Sequence, residues 1–516
     1  MSEEKNYVLA IGKNVPWNIF SYIATALLGT VSSIVLARYF GISTYGAFGY
    51  LTWLTGVLTM FFTLGLDTTI QKFLPPLFFS SIPEERQRAS ALLKKILLVV
   101  LAISSVVILA GILSASFWQP LVHLQVNSKF FLLILGLIIS VPTLIANFFT
   151  VTFSAIQRFK TVALVTLLNQ GLSLALLVML LVLHQGLVFY IVGLLILAIF
   201  TVSAYVIVAL RLGLLQGRGG MSYSVSQHRR FFTNIYFNNL LQNVVWARSE
   251  IFFLGIFSTI QQIAQYSLAF SLASFATSAL SPVSSVIINT LSEVTGKNQE
   301  DRMKDIVRRG TKYLSIIVFP MFIGIIFLFP WIIPAFYGKS FSPVAVLLPI
   351  LLLSQALATS FSIMSSIPTY KEKTRQVLLI SIVAGVINIV GDVLLIPHWS
   401  ALGAAFANLL GQGSAIIMGV TYTNKRLRVS PFSGLLLRVY LLNGLFLVVM
   451  APTLLLHSFL VTAIFLLIVL VMYIFFTLRT SFDHIDVEVI RQIFSTLPKF
   501  IRGLWLKLEK LIPTQT

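Results

Sequence analysis

The chain has 516 residues, 57% of them hydrophobic and only 10% charged. A soluble protein of this length carries roughly a quarter charged residues, so a water-soluble globular domain is excluded. The formal charge of +20 fits lysine and arginine in the loops beside apolar segments better than it fits nucleic acid, and the lack of cysteine rules out disulfides, thiol nucleophiles and cysteine metal sites.

About fourteen apolar segments follow one another along the chain, each close to the ~20 residues that a helix needs to cross a bilayer. They cover residues 15–37, 46–70, 96–117, 130–149, 162–183, 187–210, 232–257, 263–291, 314–333, 343–363, 377–396, 402–422, 435–456 and 459–478. Lipid offers the backbone no hydrogen-bond partner, so every span is expected to be helical. The second and eighth look long for a perpendicular crossing and are expected to tilt or project. Met1-Ser2-Glu3-Glu4-Lys5 is not a cationic leader, so the first span is expected to be retained.

Charge sets the orientation. One set of alternating loops holds Lys72, Arg86, Arg88, Lys94 and Lys95, then Arg158 and Lys160, then Arg211, Arg218, Arg229 and Arg230. It continues through Lys297 to Lys312, Lys371 to Arg375 and Lys425 to Arg428. The other set is nearly bare, with Arg38, Lys129, Lys339 and four histidines. The positive-inside rule places the first set and both termini in the cytoplasm of a cell (inner or plasma) membrane protein.

Spans one to six and seven to twelve recur at an offset of about 217 residues, which predicts two six-helix lobes related by a parallel pseudo-two-fold repeat. The expected layout is an N-lobe over 1–211, a linker over 212–231, a C-lobe over 232–424, two extra spans over 425–478 and a cytoplasmic tail over 479–516. In the tail, Leu497, Phe500, Ile501, Leu504, Trp505, Leu508, Leu511 and Ile512 share one helical face. That predicts an amphipathic helix in the membrane interface, with docking on another protein as the rival reading. The fold class expected is therefore an all-α polytopic membrane protein.

No P-loop, HExxH or clustered metal-ligand motif is present, which points away from an enzyme, a resident cofactor or a self-contained ATP-driven pump. What remains is polarity inside spans, which is costly and usually functional. In the seventh span Asn239, Asn243, Trp246 and Glu250 stack on one face, and Asn234, Asn238 and Gln242 lie on an adjoining one. This stripe reads as the lining of a hydrated cavity, with helix–helix amide bonding as the alternative. Arg248 sits near the membrane middle and needs a partner or an anionic ligand. In the first span Asn18, Tyr22 and Thr25 form a shorter stripe. Gly403, Ala407, Gly411 and Ala415, spaced by four, form a small-residue ridge suited to close helix packing. Pro142, Pro282, Pro320 and Pro330 are candidate bending points.

Four short stretches resemble a known group. They are Ala37-Arg38-Tyr39-Phe40-Gly41 followed by Tyr45-Gly46, Leu64-Gly65-Leu66-Asp67-Thr68-Thr69 with Gln71-Lys72-Phe73, Trp246 to Ser267, and Ile396-Pro397-His398-Trp399-Ser400-Ala401-Leu402-Gly403-Ala404-Ala405. The chain is similar by these motifs to the multidrug/oligosaccharidyl-lipid/polysaccharide exporter superfamily, in its polysaccharide biosynthesis, O-antigen-flippase-like branch. The resemblance implies two bundles around a central cavity and alternating access. It implies transfer of a polyprenyl-diphosphate-linked oligosaccharide from inner to outer leaflet, with two extra helices shaping a groove for the lipid tail. Two positions depart from the family pattern: Ser400, where glycine is usual, and Asp392, where a neutral polar residue is expected.

Under that reading amides meet sugar hydroxyls and Arg248 meets the diphosphate, because a guanidinium binds two oxygens at once. Lys72, Arg158 and Lys160 either attract the headgroup or serve as ordinary positive-inside anchors. Glu250, Asp67 and Asp392 are candidates for coupling to Na+ or H+, or for pairing with a cation. Partners expected are membrane lipid, the lipid-linked oligosaccharide and, in the same pathway, glycosyltransferases and a polymerase; nothing demands an oligomer. The rivals are a cation-coupled multidrug exporter, in which the same carboxylates bind cationic drugs, and a membrane scaffold or glycosyltransferase.

Overall fold

The computed structural model describes residues 2–63, 66–80, 82–113, 129–215, 249–278, 299–371, 373–455, 458–483 and 486, with isolated positions at 280, 287, 291 and 294. All regular structure among them is helical: α1 Ser2–Thr63, α2 Leu66–Phe78, α3 Pro83–Leu113, α4 Lys129–Ala155, α5 Phe159–Val182, α6 Leu187–Arg211, α7 Ser249–Phe257 and α8 Ile260–Ser278. They are followed by α9 Glu300–Tyr337, α10 Val344–Ser360, α11 Ser362–Tyr370, α12 Thr374–Leu427, α13 Gly434–Met450 and α14 Phe459–Thr480. Nine stretches of these helices are long and apolar enough to cross a membrane, or ten if α10 and α11, bent by 50° at their junction, count as one. Large apolar side chains such as Leu98, Val106, Leu437, Val448, Leu460 and Leu467 stand more than half exposed, as helices facing lipid require.

Two of the long stretches each contain a break that the apolar pattern places between spans. α1 breaks at Gly41 (φ 77°, ψ 175°), a conformation that costs glycine little, so the first two spans join through a single residue. α12 breaks at Ser400 (φ 48°, ψ −126°), where a side chain is strained. The glycines beside these breaks are held by close approach. A methyl on Gly46 would lie 2.2 Å from the Ile260 carbonyl oxygen, and one on Gly403 would lie 2.3 Å from that of Leu395.

Some ends differ from expectation. Within the second span α1 is described to Thr63 and α2 from Leu66, with residues 64 and 65 outside the described residues. α2 buries Ile70 and Leu74 in the core and leaves Gln71 exposed. The third span starts at Pro83 rather than Ile96, with Pro83 in the first turn and Glu84 and Glu85 beside it, residues suited to a helix start. The ninth extends back to Glu300 through a charged turn in which Asp301 pairs with Lys304 and Asp305 with Arg309. Pro142, Pro320 and Pro330 lie inside helices. Pro282, the amphipathic tail beyond Leu497 and the Gly217–Gly220 linker lie outside the described residues.

The chain divides into two compact units. Unit 1 is Met1–Ser267 with Phe336–Ser340 and Asp392–Ala404; unit 2 is Leu268–Ala335, Phe341–Gly391 and Ala405–Thr516. In unit 1, α2, α3, α4 and α6 pack around Leu74, Leu92, Leu93, Phe149, Phe153 and Tyr205. Short segments are stitched to this unit by polar bonds: Arg38 Nε donates to the Phe336 carbonyl (2.8 Å), and Gln265 Nε2 to that of Ser340 (3.3 Å). In unit 2, Ala407 and Gly411 of the small-residue ridge make close packing contacts. Ala407 lies where a methyl on Gly391 would approach it to 3.0 Å, and Gly411 lies against Asn388. Ser354 Oγ donates to Asn408 Oδ1 (3.0 Å) and bonds α10 to the same helix.

Candidate functional site

Within unit 1, the second half of α1 together with α4, α5 and α6 encloses a half-open cavity of about 700 Å³. Its wall is built by helical spacing. Thr52, Thr55 and Thr59 project from one face of α1, Thr143 and Asn147 from one face of α4, and Asn169, Gln170 and Ser173 from adjoining positions on α5. Phe48, Leu51, Ile139, Ile191 and Leu194 supply apolar surface between them. The threonine protons are spent on backbone: Thr52 on Phe48 (2.8 Å), Thr55 on Gly136 (3.3 Å), Thr59 on Thr55 (2.8 Å) and Thr143 on Ile139 (2.8 Å). The Ser173 hydroxyl meets the Tyr190 hydroxyl at 3.4 Å. Asn147, Asn169 and Gln170 have no hydrogen-bond partner among the described residues.

A second polar feature of unit 1 is a carboxylate pair. Glu250 on α7 and Asp392 on α12 are both buried, at 2% and 0% exposure, and near enough to repel one another. Ser249 Oγ donates to Asp392 Oδ2 at 2.9 Å, while Asp392 Oδ1 has no partner among the described residues. A buried carboxylate oxygen left without a donor is expensive, and such sites suit a proton or a small cation. Among the described residues no group of three His, Cys, Asp or Glu forms a metal cluster.

Unit 2 carries an apolar groove of about 490 Å³ between α9 and α14. Ile316, Ile317, Pro320 and Met321 line one side and Leu466, Leu470, Ile474 and Leu478 the other. Just beyond its Phe482 end, Arg309, Lys312 and Tyr313 of α9 bind Asp483 and Asp486, which follow α14.

The sequence-derived candidates fare unequally. Glu250 and Asp392 are brought together. Arg248, Trp246, Asn243, Gln242, Asn239 and Asn238 lie outside the described residues. Asn18 and Tyr22 fall in α1, and Asp67 and Lys72 in α2, as backbone positions only. Thr25 Oγ1 is buried without a partner among the described residues. Arg158 and Lys160 are exposed where α5 begins. The cavity of unit 1 is not foreseen by the spacing of the strongest polar residues. Its signal is present as threonines spaced three and four apart in span two and Thr143 and Asn147 four apart in span four, but single hydroxyls and amides in apolar helices are common and do not stand out.

Comparison with known proteins gives the following. The family model for polysaccharide biosynthesis protein matches residues 11–295, and the MatE model matches residues 235–394. No curated protein matches the sequence. The fold is similar to that of the lipid II flippase MurJ in an inward closed conformation, at TM-score 0.67 and 15% identity over 88% of this chain and 98% of that one. It is also similar to an inward-facing multidrug resistance MATE family transporter of the MOP superfamily, at 0.63 and 14% over 78% and 94%. A third similar structure is a ligand complex of the MATE multidrug transporter DinF-BH, at 0.56 and 15% over 82% and 97%.

Proposed function

The chain belongs to the polysaccharide biosynthesis protein family, and from that premise we propose that it is a flippase that moves a polyprenyl-diphosphate-linked oligosaccharide from the inner to the outer leaflet by alternating access. The observation that carries this reading is the wide cavity of unit 1, whose hydroxyls and amides sit among membrane-spanning helices. A lipid-linked sugar left in hydrocarbon exposes many hydroxyls, each costing several kcal/mol when unpaired. A polar enclosure at membrane depth removes that barrier. The apolar groove between α9 and α14 offers the hydrocarbon tail a matching surface, in line with the role the family resemblance gives to the added helices.

Moving two negative charges outward across an inside-negative membrane releases about 4–5 kcal/mol per 100 mV, so the voltage assists the step. Glu250 and Asp392 supply a place where inward Na+ or H+ is coupled to it. The same pair favours the second reading, a cation-coupled multidrug exporter, because buried carboxylates also attract cationic drugs.

The two are separated by reconstituting the full chain in proteoliposomes. A labelled polyprenyl-diphosphate trisaccharide placed in one leaflet becomes accessible to periodate in the other if the protein is a flippase, and ethidium is not accumulated. Accumulation of ethidium with no glycolipid crossing overturns the proposal in favour of the drug exporter.

A further inference from the structure

The described wall of the unit 1 cavity is polar and uncharged. Among the described residues that line it none is Asp, Glu, Lys, Arg or His, and Phe48 is the one aromatic. A diphosphate brought against this wall would meet, among the described residues, none of the guanidinium or ammonium donors that phosphate recognition uses. A cationic amphiphile would meet there neither a carboxylate nor the several aromatic faces that bind onium groups. An uncharged hydroxyl-rich group meets neither obstacle.

The hydrogen-bonding inventory narrows this further. Because the four threonines donate to backbone carbonyls, their oxygens face the cavity as acceptors. Asn147, Asn169 and Gln170 each bring two N–H donors and a carbonyl acceptor that no described residue uses. A sugar hydroxyl both donates and accepts, and an acetamido group does the same with its N–H and C=O. The wall presents both complements, on helices rather than loops. Leu51, Ile139, Ile191 and Leu194 lie between the polar groups and suit the C–H faces of sugar rings. The volume falls in the range of ligand-binding cavities.

We infer that this cavity is a subsite for the uncharged sugar residues of the cargo, with Asn147, Asn169 and Gln170 reading hydroxyl and acetamido groups while the diphosphate is held elsewhere. The inference rests on the flippase reading and adds to it a substrate class: at least one segment of the transported glycan is neutral, and an anionic sugar in that segment is rejected.

The test uses the full chain in lipid nanodiscs and three synthetic probes: bare polyprenyl diphosphate, the same lipid bearing a neutral N-acetylhexosamine-containing trisaccharide, and the same lipid with a uronic acid in that trisaccharide. The native protein is expected to bind the neutral glycolipid at least tenfold more tightly than the bare lipid. The double variant Asn147→Leu/Asn169→Leu is expected to bring that ratio within twofold while leaving affinity for the bare lipid unchanged. Asn169→Asp, nearly isosteric and the deciding variant should the double one not fold, is expected to weaken the uronate glycolipid at least tenfold more than the neutral one. A native preference that survives in the leucine variant, or no native preference at all, overturns the subsite and leaves the flippase reading standing. Failure to bind either diphosphate lipid, with tight binding of ethidium, removes both.

Discussion

Asp392 in unit 1 and Asp486 in unit 2 are both fully buried carboxylates, yet their surroundings are opposite. Asp486 accepts from Lys312, from Arg309 (2.7 Å), from the Tyr313 hydroxyl and from the Asp483 backbone N–H (2.8 Å). Lys312 is itself buried and also donates to the Ser481 carbonyl (3.2 Å). Asp392 has one serine hydroxyl on one oxygen, and on the other no partner among the described residues. A saturated carboxylate has nothing left to offer a ligand and fastens the chain that follows α14 onto α9. A buried carboxylate with one donor among the described residues, beside a second acid, is a site of the kind that suits a proton or a small cation. Burial alone therefore does not distinguish the two acids; the count of donors among the described residues does.

The largest effect expected from breaking this contrast is on stability. Asp486→Ala leaves the buried Lys312 without its carboxylate, Arg309 keeping Asp305 and Asp483, and loss of one member of a buried pair costs about 3–5 kcal/mol. Denaturant titration in detergent measures it, and a loss below about 1 kcal/mol would mean that the network is ornamental. Asp392→Asn should do the reverse, leaving stability within about 1 kcal/mol, since it removes an underpaired charge, while glycolipid transport under an imposed Na+ or H+ gradient falls at least about tenfold. Transport equal to the native rate would end the coupling role.

Acid gives a graded version of the first test. Burial pushes the Asp483 carboxyl up, but the hydrogen bond and charge of Arg309 outweigh it and hold the group well below the usual carboxylate range. A depressed carboxylate contributes stability that is complete above its unfolded value, about 3.9, and is lost as pH falls through the lower folded value. The unfolding temperature should hold from neutral pH to about 4.5 and then drop, and Asp483→Asn should flatten that drop. The smallest effect is expected at the α12 break. Ser400→Gly relieves a positive φ and should stabilise by about 0.5–1 kcal/mol, read as a small rise in the unfolding midpoint.

Legibility differs in the same way between the two units. Lysines and arginines between spans read from sequence as anchors, and at Arg309 and Lys312 that reading misses their partners. Asp483 and Asp486 stand more than 170 residues away and are separated from them by five helices. Ser249 and Asp392 are 143 residues apart, so their meeting is equally hidden, although both acids of that site stand out in the sequence as charges inside spans. The turns at Gly41 and Ser400 are readable because a motif and a change from apolar to polar residues mark both.

The sequence by itself determined that this chain is helical and lives in a bilayer, because apolar runs of membrane length leave the backbone no other way to satisfy its hydrogen bonds. It also marked which charges were costly and which motifs belong to the polysaccharide biosynthesis family. Only the tertiary structure decided which helices put their threonines and amides around one cavity, and how many donors each buried acid meets among the described residues. Those outcomes depend on the rotation of each helix against its neighbours, which packing sets and an apolar run does not encode.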